Sequence, residues 1–312
     1  MNRNRFFHWM KTYGCIPTTI ALVLFFAGPV WAEGHSTGEA HAMDMFLRPR
    51  DWVALVFCAF GFLYLVKSRL RHNVRLFSLG LAFFTFGIFS ALPFGKLASA
   101  MALHPSPLCT ITKPFLFLQT GYAVPLGFII LLGFMGILTI IGNKLFCGWS
   151  CPIGAIQEIV HRIPLPRRFK RKLPFRASNS LRVLLFAIFL VIAFSLSRDM
   201  YDYVNPFEAL HWDFELYMIT VFCIVLAASF FMYRPFCYFI CPAGLFTWGL
   251  EHISIVRVKV DKDACDGCQL CVKESPCPAV PAILKGKRSR PDCHACGICI
   301  AACPKRALEF RT

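Results

Sequence analysis

"FCGWSCPIG", residues 146–154, closes a long apolar run, and "FCYFICPAG", residues 236–244, closes another ninety residues later. Each holds two cysteines four positions apart, a proline directly after the second and a glycine two beyond it. A thiol pair written twice, each time where apolar sequence gives way to polar, implies a duplicated unit. Working outward, two apolar spans, an outer connection and the string Lys/Arg-x-Phe-Cys-x3-Cys-Pro-x-Gly describe residues 76–154 and again residues 182–244. Both copies would enter from and return to one side of a membrane, as parallel repeats about an axis along its normal. At i,i+4 spacing each pair would share one helix face. Pro152 and Pro242 suit the first turn of a following helix, and Gly154 and Gly244 permit close approach of a ligand or backbone. Three readings stay open for Cys147, Cys151, Cys237 and Cys241: convergence on a further metal or cluster at the cytoplasmic membrane face, two redox dithiols, or four buried packing residues.

The surrounding composition requires lipid. Of 312 residues, 57% are hydrophobic and only 16% charged, with a mean hydropathy of +0.57, which excludes an ordinary soluble protein. Five apolar spans lie near 51–66, 76–94, 122–142, 182–197 and 216–233. The formal net charge of +16 invites a nucleic-acid reading, but the basic residues sit in particular connections. Residues 67–75 carry Lys67, Arg69, Arg71 and Arg75 with no acid, and residues 143–181 are similarly basic with Glu158 as their one acid. Residues 198–215 reverse the balance with Asp199, Asp202, Glu208, Asp213 and Glu215. By the positive-inside rule the first two are cytoplasmic, and so is the tail after residue 234. The charge therefore belongs to topology and no nucleic acid is expected.

Residues 1–32 read as a signal peptide cut after Ala32, an uncleaved N-terminal anchor being the alternative. The expected organisation is leader or anchor 1–32, a polytopic all-α membrane domain of duplicated helical hairpins over 33–250, and a small α+β domain over 251–312.

That last domain carries the most specific motif. "CHACGICIAACP", residues 293–304, spaces Cys293, Cys296, Cys299 and Cys303 as C-x2-C-x2-C-x3-C-P, the bacterial ferredoxin run. A tight loop aims three thiolates at one cubane, and the proline turns the fourth toward another. Zinc motifs usually offer two separated cysteine pairs instead. Its partner, "CDGCQLCVKESPCP", residues 265–278, offers Cys265, Cys268, Cys271 and Cys277, with five residues rather than three before the last. Crossed ligation then gives one [4Fe-4S] cluster on Cys265, Cys268, Cys271 and Cys303, and a second on Cys293, Cys296, Cys299 and Cys277. Ile283, Leu284 and Ile298 are expected to wrap the clusters, and a cytoplasmic location explains why so many thiols need not form disulfides.

Other features are weaker. His35, His41, Met43 and Met45 could bind copper, a flexible polar segment being the plainer reading. Cys109 stands alone near His104; Cys58 and Cys223 read as packing residues; Tyr201, Tyr203, Trp212 and Tyr217 read as interfacial anchors. No histidine lies near the middle of a span, so bis-His haem has no evident seat.

Taken together, the two Cys-x3-Cys-Pro sites followed by the two cluster motifs resemble the NapH/MauN family of membrane-bound ferredoxin-type proteins and the carboxy-terminal half of NosR regulators, over roughly residues 76–312. NapH-type proteins usually have four spans, and NosR-type proteins a large periplasmic flavin-binding domain. The resemblance implies an iron–sulfur protein of the bacterial inner membrane, multi-pass, with its cluster domain cytoplasmic. It implies electron relay between the quinone/quinol pool and a periplasmic respiratory or amine-oxidising system, through a periplasmic or membrane-associated partner. As an enzyme it would be at most a quinol dehydrogenase component, with its catalytic and quinone-site residues unnamed. The alternatives are a copper-reducing maturation factor similar to FixG/CcoG proteins, which carry a further domain after the clusters, and a redox-sensing regulator.

Overall fold

The computed structural model describes residues 48–67, 72–92, 95–166, 168–172, 174–211, 215–287 and 291–312. The leader at 1–32, His35, His41, Met43, Met45 and Trp212 lie outside the described residues, as do Arg69, Arg71 and Asp213 of the charge count.

Helices occupy the five apolar spans. Helix α1 (Pro49–Val66) opens on a proline, whose missing N–H would be unpaired in the first turn anyway. Helix α2 (His72–Phe83) continues through a π turn at Phe84–Ile88 and a 3-10 turn at Phe89–Ala91. Two helices fold within the connection between the second and third apolar spans, α3 (Gly95–Ala100) and α4 (Pro107–Gln119). Ser106 Oγ caps α4 by accepting the Cys109 N–H at 3.2 Å. Helix α5 (Leu126–Gly142) leads into the first Cys-x3-Cys-Pro segment and α6 (Pro152–His161) leaves it. Helix α7 (Phe175–Leu196) stops at Ser197 in the left-handed region, and α8 (Leu216–Phe231) leads to the second segment. That segment contains α9 (Pro235–Phe239) and is followed by α10 (Pro242–Glu251). Among the described residues α1 and α7 are long and apolar enough to cross a membrane; α5 and α8 are apolar but shorter, at 17 and 16 residues.

The packing exchanges partners between the two halves. Helix α6 lies against α2 and α8, while α10 lies against α7 and α5. Each helix that follows a Cys-Pro is therefore held by the first long helix of its own half and the second of the other. Helix α4 dips back to pack on α5, α7 and α10. Its Lys113 reaches the connection between α7 and α8, 2.5 Å from Asp202 and 3.5 Å from Asp199. The outward faces stay apolar: Ile129 and Ile137 on α5, Leu184, Val191 and Leu196 on α7, and Leu216 and Ile224 on α8 are each 54–82% exposed.

Residues beyond α10 form a small α+β unit. Strand β1 (Arg257–Val260) pairs antiparallel with β2 (Leu308–Arg311), Val258 opposite Phe310. Between them come α11 (Leu270–Glu274), α12 (Val280–Leu284) and α13 (Ile298–Ala301). Two strands cannot stand alone. The period-two alternation of β2 turns Leu308 and Phe310 inward, and Phe310 meets Phe62 of α1 edge-on at 5.8 Å.

Two readings of single residues need correction. Cys223 is exposed on α8 and so is not a packing residue, although Cys58 is fully buried. Tyr201 is buried against Phe189, ring centroids 5.3 Å apart, and so anchors no interface. Tyr203 and Tyr217, 60% and 39% exposed, do point outward.

Candidate functional site

The ferredoxin-type cysteines gather into two groups. Cys265, Cys268, Cys271 and Cys303 line one cavity of ≈ 20 Å³, with Leu284 on its wall. Cys277 is buried, and after the effect of burial Cys293, Cys296 and Cys299 push its thiol well up. The five-residue separation after Cys271 is thus absorbed by α11 and the following turn, and Cys277 still reaches the other motif. The two loops share a backbone shape. Gly267 (φ 73°) and Gln269 (φ 57°) in the first recur as Ala295 (φ 46°) and Gly297 (φ 73°) in the second. Such left-handed turns aim successive N–H groups into a concavity suited to an anion. Together with four thiols per group, this backbone fits thiolate-ligated iron–sulfur clusters. Among the described residues no three His, Cys, Asp or Glu side chains close on a point suitable for one metal ion; a cubane spreads its thiolates around a volume. The groups differ in exposure: Cys268 is open to solvent, whereas Cys277, Cys293, Cys296 and Cys299 are all buried.

The Cys-x3-Cys-Pro segments meet as well. Cys147, Cys151, Cys237 and Cys241 line a single cavity of ≈ 20 Å³. They do so without sharing a helix face, which corrects the spacing argument. Cys147 lies in a π turn (Phe146–Ser150) and Cys237 in α9, while Cys151 (φ −65°, ψ 118°) and Cys241 (φ −63°, ψ 115°) are extended. The following prolines forbid helical backbone at those positions, and the same bend in each half swings the second thiol toward the first. Pro107 and Phe207, from the connections expected on the outer side, also line this cavity.

Burial pushes all four thiols up, Cys237 to about 11 and Cys241 to about 12. Burial thus disfavours the bare thiolate form. Polar hydrogens nevertheless face them. The Gly154 and Gly244 N–H groups favour the thiolates of Cys151 and Cys241, and the Thr247 side chain that of Cys147. Gln157 Nε2 stands 3.6 Å from Cys237 Sγ.

Around the thiols runs a buried ion network, of which the sequence reading counted Arg75, Lys144, Arg162 and Glu158 only as topology charges. Arg234 Nη1 donates to the Cys147 carbonyl at 2.5 Å, and Arg182 Nη1 to the Cys237 carbonyl at 3.0 Å. Lys144 donates to the Gly244 carbonyl at 2.8 Å and to Asp292, which also pairs with Arg182 at 3.0 Å. Glu158 binds Arg75 at 3.1 Å, Arg234 at 2.8 Å and Arg162 at 2.7 Å, and accepts the Tyr233 hydroxyl at 2.7 Å. Burial alone would raise its pKa, but Arg75, Arg234 and Arg162 hold it well below the usual carboxylate range. The available sign was the cation three residues before each first cysteine, Lys144 and Arg234.

Residues 292–295, at the start of the second ferredoxin-type motif, lie across both Cys-x3-Cys-Pro segments. The Asp292 carbonyl accepts the Tyr238 hydroxyl at 3.1 Å, the Cys293 N–H donates to Glu251 at 3.1 Å, and the Ala295 carbonyl accepts Trp149 Nε1 at 2.9 Å. The buried His294 ring stands 5.2 Å from that of Tyr238 and itself lines the four-thiol cavity. Its Nδ1 is buried with no partner, and burial followed by Arg234, Lys144 and Arg182 keeps the imidazole neutral. A wider groove of ≈ 640 Å³ opens beside this junction, between His161 and Tyr233 on one wall and Ile298, Ala301 and Ala302 on the other. Ile298 thus faces the groove, while Leu284 covers the first cysteine group. Cys109 is buried with Asn205 Nδ2 at 3.8 Å, and takes no part in these groups.

Comparison with known proteins adds an independent observation. A family profile described as a 4Fe-4S binding domain matches twice, over residues 123–176 and 214–260. Each match holds one Cys-x3-Cys-Pro segment with the helix leading into it, and both end before Cys265. An uncharacterized protein of Methanocaldococcus jannaschii is 30% identical over 184 residues, spanning 56% of this chain and 74% of the relative. Ferredoxin-type protein NapH of Haemophilus influenzae is 28% identical over 196 residues, 55% of this chain and 64% of NapH. Putative electron transport protein YccM of Escherichia coli is 25% identical over 187 residues, 54% of this chain and 51% of that protein. No solved structure matches.

Proposed function

Because this chain belongs to the ferredoxin-type 4Fe-4S family that includes NapH, we propose that it is a membrane-embedded relay passing single electrons between the quinone/quinol pool and a periplasmic redox partner. Its tail would hold two [4Fe-4S] clusters, on Cys265, Cys268, Cys271 and Cys303, and on Cys277, Cys293, Cys296 and Cys299. The observation that carries this is the interlock: Cys303 stands with the first motif and Cys277 with the second, as crossed ligation in two-cluster ferredoxins requires. The clusters supply one-electron redox chemistry; the chain fixes their positions, buries one and leaves the other at the rim.

The apolar outward faces of α5, α7 and α8 support a lipid environment, since contiguous exposed Leu and Ile are costly in water. The twice-matched profile and the exchanged packing of α6 and α10 support duplicated hairpins. In this reading α1, α2, α5, α7 and α8 span the inner membrane and the cluster domain is cytoplasmic. The groove walled by His161 and Tyr233 suits a quinone headgroup beside the second cluster. The test is anaerobic addition of quinol to the full chain in lipid nanodiscs, followed by EPR. Reduced-cluster signals that appear with quinol support the relay; clusters that respond to dithionite but never to quinol refute the quinone link.

A further inference from the structure

We propose that Cys147, Cys151, Cys237 and Cys241 bind a third iron–sulfur cluster, set inside the helical domain, with His294 between it and the cluster on Cys277, Cys293, Cys296 and Cys299. Three observations carry this. First, the four thiols come from both halves of the chain and line one cavity, as Cys265, Cys268, Cys271 and Cys303 line another. Four cysteines ligate either a two-iron or a four-iron cluster.

Second, the surroundings are built for an anion. Arg75, Lys144, Arg182 and Arg234 are all buried and share two buried carboxylates, Glu158 between Arg75 and Arg234, and Asp292 between Lys144 and Arg182; Arg162 adds a further cation at the rim. Four buried cations on two carboxylates leave an excess of positive charge, and uncompensated buried charge is strongly unfavourable. A thiolate-ligated cluster would offset it, and Gln157 already aims an N–H at the Cys237 sulfur. Third, His294 lines the cavity while leaving Nδ1 buried and unpartnered, an open hydrogen-bonding position at the edge of the site.

Position gives the centre its purpose. Pro107 and Phe207 belong to the outer connections and His294 to the ferredoxin-type tail, yet all three border the same cavity. A cluster there bridges the two sides of the helical domain. An electron leaving the tail would thus reach the periplasmic side through protein-bound iron. This inference rests on the relay reading for its purpose, though not for its iron count.

The experiment measures iron and acid-labile sulfide on the full chain purified anaerobically in nanodiscs, with Mössbauer spectra. The tail alone accounts for about eight irons, and the third centre raises this to about ten or twelve according to its nuclearity. The double variant Cys147→Ala, Cys237→Ala should lose the excess of two to four irons (roughly, by cluster type) while both tail clusters persist. Should that variant fail to accumulate, the wild-type count decides. A count near eight, unchanged by the double variant, overturns the third centre and leaves the two-cluster reading intact. A single zinc or copper ion held by these cysteines, or a disulfide within a pair, also overturns it. Loss of no iron from a Cys293→Ala, Cys296→Ala variant would instead overturn the tail assignment alone.

Discussion

Gly148 lies directly beneath the carbonyl of His294, with no room for a methyl group between them. The first Cys-x3-Cys-Pro turn and the second ferredoxin-type loop therefore touch backbone to backbone. The equivalent position in the other half is Tyr238, whose ring and hydroxyl pack on the same loop from the opposite side. Two copies of one motif have diverged at this position to grip the two sides of residues 292–295.

Gly148→Ala should accordingly loosen this junction, at about 1–3 kcal/mol for an overpacked contact. Its thermal midpoint should fall, and the signal of the cluster on Cys293, Cys296 and Cys299 should broaden. Gly249→Ala is the control: that helical glycine has open space around it, and alanine there should be neutral or stabilising by about 0.5–1 kcal/mol.

Exchanging ligands tests the crossing. Cys277→Ala should remove about four irons and only the buried cluster's signal, and Cys303→Ala about four and only the rim cluster's. EPR of the two variants should show complementary losses. If Cys303→Ala instead abolishes the cluster on Cys293, Cys296 and Cys299, ligation is uncrossed.

Glu158→Gln should be among the most damaging conservative changes, because it leaves Arg75 and Arg234 buried beside a neutral amide. The expected cost is about 3–5 kcal/mol, read from thermal unfolding in detergent. The pH dependence has a definite sign. Glu158 is held well below its ordinary value in the folded chain, so its stabilisation is complete above the ordinary carboxylate range and is lost as pH falls through the lower folded value. Wild-type protein should lose stability steeply in that acid window, and Glu158→Gln should not show that component of the loss.

Backbone strain in the cluster loops can be measured separately. Gly267 is left-handed in open space, so Gly267→Ala carries only the backbone cost, about 1–2 kcal/mol. Gln269 has the same handedness with a side chain present, so Gln269→Gly should be stabilising or close to neutral, by about 0.5 kcal/mol once the flexibility of the unfolded chain is counted. Opposite signs in melts of the two variants would bear this out.

The gathering of the cysteines was legible because short spacings in tight loops keep thiols together: Cys265, Cys268 and Cys271 line one cavity as their spacing implies. The helical spans were legible from hydropathy, and the doubled motif from simple repetition. The ion network was not. Arg75, Lys144, Glu158, Arg182, Arg234 and Asp292 come from six separate elements or turns, and nothing local in the sequence pairs them. Helical spacing also misled at Cys151 and Cys241, where the following proline outweighs the i,i+4 rule. Pro107, at the start of α4, lines the four-thiol cavity, and the apolar run 122–142 that follows carries no sign of that folding back.

The unequal exposure of the two tail groups has a practical consequence. In the two-cluster reading, dissolved oxygen would reach a cluster at the exposed Cys268 freely and one at the buried Cys277 only through packed protein. Handling in air should bleach the preparation in two stages, the accessible centre first, so that partly aged material reports the inner one alone.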